Sequence, residues 1–243
     1  MKIKQMIKWN WQNSYMGLIV LYGVFILLYL FAFAVNVSAG GETVNVNGMS
    51  TGSVVMMLVY GIVLFSQSLR FGLGNGVSRR TVFLSFLAFF GIFSVCMTVG
   101  DVLLQLLVSL FTDNSTDVLL LLFGHEHSLQ LTTRLSLMGC LLAAHLAFGM
   151  IGYFIGGAYY RMGKYLRLGV SIGVPAFLFV VLPILVMLLP AAAQKGIFGA
   201  ITAAAEFLLL SPLHLGAGLL TVAAAFGVFA WLFIRRAPIK AAF

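Results

Sequence analysis

Few residues in this 243-residue chain can carry acid–base chemistry, and their spacing decides what they can do. Asp101 lies inside an apolar run, with Gln105 one helical turn later on the same face. A carboxylate in hydrocarbon is costly enough that it must face a partner or a wet cavity. Asp101 and Gln105 are therefore candidates for a pathway or coupling role, against a plain structural hydrogen bond. His145 and His214 sit in or beside apolar runs, where each is either a satisfied structural histidine or, with Asp101, part of a proton relay. His125-Glu126-His127 sets two imidazoles around a carboxylate, an incomplete ligand set that reads as a solvated loop. Cys96 and Cys140 fall in apolar runs and read as small hydrophobes. The sequence holds neither a Gly-x-Ser-x-Gly with a partnered histidine nor a His-Glu-x-x-His, so no catalytic residue and no metal ligand is assigned.

The elements that must position these groups belong to a membrane. Hydrophobic residues make up 62% of the chain and charged ones 8%, with a mean hydropathy of +1.09. A soluble domain carries roughly 25% charged residues, so a water-soluble fold is excluded. Crossing the hydrocarbon takes about 20 apolar residues. Six stretches qualify: 16–35, 53–69, 82–111, 135–159, 168–190 and 212–234. The fold class predicted is an all-α integral membrane protein of six transmembrane helices, forming a single domain over 1–243 with an amphipathic interfacial helix over 1–15. In that helix Ile3, Met6, Ile7 and Trp11 share one face, while Lys2, Lys4, Lys8 and Gln12 lie elsewhere. The first apolar run lacks a small-residue cleavage site and reads as a retained span rather than a signal peptide.

The basic residues set an orientation. With the N-terminus inside, twelve of the fourteen Lys and Arg residues fall on the cytoplasmic side, leaving Arg134 and Lys195 outside. Both termini are thus expected in the cytoplasm. The formal charge of +8 follows from these loops and needs no nucleic acid to explain it. The outer loop 112–133 contains the apolar run 118–123, too short to cross, which reads as a re-entrant or interfacial segment, and 191–211 reads as a hydrophobic excursion on the same side. Gly152-Tyr-Phe-Ile-Gly156 fits the small-xxx-small pattern of close helix packing.

The most informative segment is the turn from Arg70 to Phe83. Gly72, Gly74 and Gly76 with Asn75 favour a left-handed stop to the second helix, and Ser78 is placed to cap the third. The glycines do not form a nucleotide loop, because no strand precedes them and no Gly-Lys-Ser/Thr follows. On physics alone the turn could simply set topology.

Asn75-Gly-Val-Ser-Arg-Arg-Thr-Val-Phe83 resembles the Gly-x-Ser-Arg-Lys/Arg-x-x-Phe turn of small permease subunits in the ABC-2 (type V) class of ABC transporters. The six-span plan, the amphipathic N-terminus and the closing Arg235-Arg236-Ala-Pro238 are similar to that family too. The resemblance implies a bacterial cell-membrane subunit that exports a lipid-like, peptide or other amphiphilic substrate. It implies that Asn75, Gly76, Val77, Ser78, Arg79, Arg80 and Thr81 contact a separate cytoplasmic ATP-binding subunit, which would carry ATP and Mg, and that a second permease subunit, identical or related, completes the pathway. No cofactor is expected in this chain. The alternatives are a substrate-capture subunit of an importer, and a proton-coupled carrier or intramembrane enzyme using Asp101, His145 and His214.

Overall fold

The computed structural model describes residues 3–38, 49–109, 118–123 and 131–235. The described residues are helical, without strands, and six helices among them are long and apolar enough to cross a membrane. The chain is an all-α, multi-pass membrane protein. Its helices are α1 (Ile3–Ser38), α2 (Met49–Gly74), α3 (Arg79–Ser109), α4 (Val118–Phe123), α5 (Leu131–Arg161), α6 (Lys164–Ala176), α7 (Leu182–Met187), α8 (Ala191–Leu209) and α9 (Pro212–Arg235). A π-helical stretch, Phe177–Val181, joins α6 to α7 without a break, so the two act as one span. Pro175 and Pro183 flank it, and each removes a backbone donor from the regular ladder.

All six predicted spans are present, with one change at the start. No break separates residues 3–15 from the first span: α1 runs unbroken for 36 residues, about 54 Å at helical rise, against a hydrocarbon core of roughly 30 Å. Its N-terminal part packs on protein. Met6, Asn10 and Ser14, one helical stripe, are buried. Ser68 donates to the Asn10 side-chain carbonyl at 2.7 Å, Trp9 stacks on Phe71, and Asn13 bonds Gln67. Lys4, Lys8 and Gln12 stay exposed as the amphipathic reading expects, while Asn10 and Asn13 find side-chain partners in Ser68 and Gln67 on α2 that lipid could not supply.

The core is built by α2, α3 and α5, with α1 beside α3 and α9 along α5. Phe86, Phe89, Phe90 and Phe93 on α3 are fully buried, and the Tyr153 ring stacks on Phe86. Glycine lets α2 and α5 touch backbone to backbone. A Cβ on Gly152 would land on the Leu58 carbonyl, one on Gly61 on the Gly149 carbonyl, and one on Gly156 would lie 2.6 Å from the Ile62 oxygen. The small-xxx-small reading of 152–156 holds and extends to Gly61 and Gly149.

The run 118–123 forms the short helix α4 beside α5, and 191–211 is mostly the 19-residue helix α8, which is not among the six helices that qualify as spans. His125-Glu126-His127 and Arg236-Ala-Pro238 lie outside the described residues.

Candidate functional site

Two places in the bundle concentrate polar side chains: the tight corner between α2 and α3, and a buried cluster near the other end of α3.

At the corner, α2 closes in a Schellman motif. The Val77 N–H donates to the Gly72 carbonyl at 2.8 Å and the Gly76 N–H to the Leu73 carbonyl at 3.1 Å. Gly76 alone takes a left-handed conformation, φ 69°; Gly74 remains helical, and Gly72 makes room for Val82 and Met6. The Asn75 amide folds back to donate to the Phe71 carbonyl at 2.7 Å. Ser78 then caps α3, accepting from the Thr81 N–H at 3.2 Å and sharing a 2.9 Å hydroxyl contact with Thr81. Val77 is buried, anchoring the corner. Arg79 donates to the Arg235 carbonyl at 2.8 Å, placing a cation on the C-terminal end of α9 where the helix dipole favours it.

The seven residues of the turn therefore divide. Asn75, Gly76, Val77 and Ser78 hold the corner's shape, Arg79 ties it to α9, and Thr81 supports the cap. Arg80 is exposed, with no hydrogen-bond or ion-pair partner among the described residues. Two further arginines sit in α2 and at the end of α5: Arg70 lies over Tyr160, and Arg161 over Phe233. One end of the bundle is basic and rigid, and Arg80 projects from it.

The buried cluster assembles four helices around one carboxylate. Tyr22 of α1 lies 2.8 Å from Asp101 Oδ1 and 2.7 Å from the Met97 carbonyl. Gly100 has no side chain to obstruct the ring, which would lie 2.5 Å from a Cβ there. Ser53 of α2 reaches Asp101 Oδ2 at 2.5 Å and His145 Nε2 of α5 at 3.0 Å. His145 Nε2 stands 3.4 Å from the same carboxylate oxygen, while its Nδ1 meets Thr98 Oγ1 at 3.0 Å. Thr98 in turn donates to the Ser94 carbonyl at 2.9 Å. His145 and Ser53 are fully buried and Asp101 nearly so. Asp101 sits 22 residues beyond Arg79, about 33 Å along α3, so the cluster is remote from the basic end.

Each ring nitrogen of His145 thus has polar neighbours, Nε2 in Ser53 and Asp101 and Nδ1 in Thr98. The cluster is not a nucleophilic triad: Ser53 and Asp101 share Nε2, so no carboxylate orients the histidine from its far nitrogen.

Sequence reasoning found Asp101 and His145 but not their company. Gln105, paired with Asp101 by spacing, makes no hydrogen bond to it and stays half-exposed. His214 is not in the cluster either. Its Nδ1 contacts Ser211 at 2.7 Å, and its ring packs edge-on to Phe207 at the start of α9. Ser53, Thr98 and Tyr22 carried no signal, since hydroxyls inside apolar helices usually bond their own preceding turn. Among the described residues no group of three or more His, Cys, Asp or Glu side chains could hold a metal.

Compared with protein-family models, curated proteins and solved structures, the chain matches none.

Proposed function

We propose that this chain is the membrane-spanning permease subunit of an ATP-driven ABC transporter of the ABC-2 type, an exporter of amphiphilic cargo that works with a separate ATP-binding subunit and a second permease. The observation that carries the reading is the corner between α2 and α3. It is short, closed by caps at both helix ends, bonded to α9 through Arg79, and offers Arg80 to a partner. A corner built this way transmits a push to α2, α3 and α9 together instead of absorbing it in a loop. An exposed guanidinium suits an acidic or carbonyl-rich groove on the partner. In this reading the basic end faces the cytoplasm of a bacterial cell, in accord with the excess of Lys and Arg there.

The buried cluster favours a second reading, a proton-coupled carrier in which Asp101 and His145 load and release a proton. The two readings separate in one pair of variants. Arg80→Glu should abolish association with the ATPase while leaving the fold intact, and Asp101→Asn should leave that association unchanged. Loss of function in Asp101→Asn together with an Arg80→Glu protein that remains fully active would instead establish the carrier.

A further inference from the structure

Beside the corner, between the start of α1 and the middle of α3, a cleft of about 390 Å³ opens on the side of the bundle. Lys4, Ile7, Lys8 and Trp11 line it from α1, spaced to lie on one helical face, and Phe89 and Ile92 line it from α3. The two ends of this cleft differ. Lys4 and Lys8 are exposed, and neither has an ion-pair partner among the described residues. Trp11 sits edge-on to Phe89 and Phe93, with ring centroids 6.4 and 6.1 Å away, and Ile92 remains half-exposed above them.

The pairing of α1 with α2 fixes the depth of each end. Trp9 meets Phe71 and Tyr60 reaches the Ser14 carbonyl, so the helices run antiparallel and Lys4 lies level with the corner. Phe89 and Ile92 come 10 and 13 residues after Arg79, about 15 and 20 Å deeper along α3. Cations at the membrane surface thus lead into an aromatic and aliphatic floor within the hydrocarbon.

We infer that this cleft binds an anionic phospholipid of the surrounding membrane, its phosphate between Lys4 and Lys8 and an acyl chain along Trp11, Phe89 and Ile92. The occupant follows from the chemistry of the lining. Two ammonium groups without a carboxylate select a negative headgroup, each favouring it by about fivefold near a membrane surface. The apolar floor selects a tail over water, and lipid is the apolar neighbour present at that depth. The inference holds whichever of the two functional readings is right, because it concerns the lipid-facing side of α1 and α3 and not the corner or the cluster.

The test uses Trp11 as reporter in the full chain with Trp9→Phe and Trp231→Phe, reconstituted in phosphatidylcholine vesicles. A few per cent of phosphatidylglycerol brominated on its acyl chains should quench Trp11 roughly 25-fold more effectively than the same fraction of brominated phosphatidylcholine. The Lys4→Gln/Lys8→Gln pair should bring the two lipids level, and Lys4→Arg/Lys8→Arg should keep the preference. Equal quenching by the two lipids in the starting protein would overturn the inference, as would a preference that survives the glutamine pair. Displacement of the lipid by inorganic phosphate would also overturn it, since that marks a bare anion site. Native mass spectrometry of the unmodified chain gives an independent reading: phosphatidylglycerol should remain bound to it and be lost from the glutamine pair.

Discussion

The α2–α3–α5 core and the α6–α7 span are both strongly apolar, and α6–α7 is the more hydrophobic, yet they behave in opposite ways. Half of each core helix's apolar stretch is buried against protein, whereas nothing in Lys164–Met187 is buried. The glycines show the reason. Gly149, Gly152 and Gly156 on α5 lie against the rings and carbonyls of α2 and α3; Gly169 and Gly173 on α6 have nothing within 4 Å of a would-be Cβ. Hydropathy places a helix in the membrane, but lipid is as apolar as leucine, so packing there depends on close backbone approach and shared polar groups. Core helices have both. The α6–α7 span has no such close approach at its glycines, and its polar links to α5, Ser171 with the Tyr159 hydroxyl and Arg167 with the Tyr159 carbonyl, lie only near its start.

The largest expected effect breaks that contrast directly. Gly152→Leu drives a side chain into the Leu58 backbone and should lower stability by about 3 kcal/mol, whereas Gly173→Leu should shift it by less than about 0.5 kcal/mol. Thermal unfolding of the two variants in detergent measures the difference, and equal losses would mean that α6 is packed as tightly as α5.

Next comes the polar half of the comparison. His145→Ala leaves Asp101, Ser53 and Thr98 short of a partner and should cost about 1–2 kcal/mol, with Asp101→Asn milder because the amide still bonds Tyr22 or Ser53. The double variant should lose less than the sum of the singles, and strict additivity would show that the two side chains do not interact. Smaller again is the corner. Ser78→Ala removes the α3 cap and Gly76→Ala strains a left-handed position, each by about 1 kcal/mol, read as a lower unfolding midpoint.

Much of this was legible from residue order. Runs of apolar residues gave the six spans, and Gly76 and Ser78 gave the corner, because caps are local. The buried cluster was half legible: an acid in an apolar run announces itself, but its partners Tyr22, Ser53 and His145 lie 79, 48 and 44 positions away, and only packing brings them together. The same limit hid one contact of Arg79, its hydrogen bond to the carbonyl at the end of α9. It also hid the burial of Asn10 and Ser14, which are polar in sequence and covered by α2 in the fold.

If the basic corner couples this chain to an ATPase, gentle purification of the tagged protein from its native membrane, followed by mass spectrometry, should yield a stoichiometric ATP-binding subunit with the unmodified chain and none with Arg80→Glu. A chain that purifies without any ATPase, or an ATPase retained equally by Arg80→Glu, would contradict it.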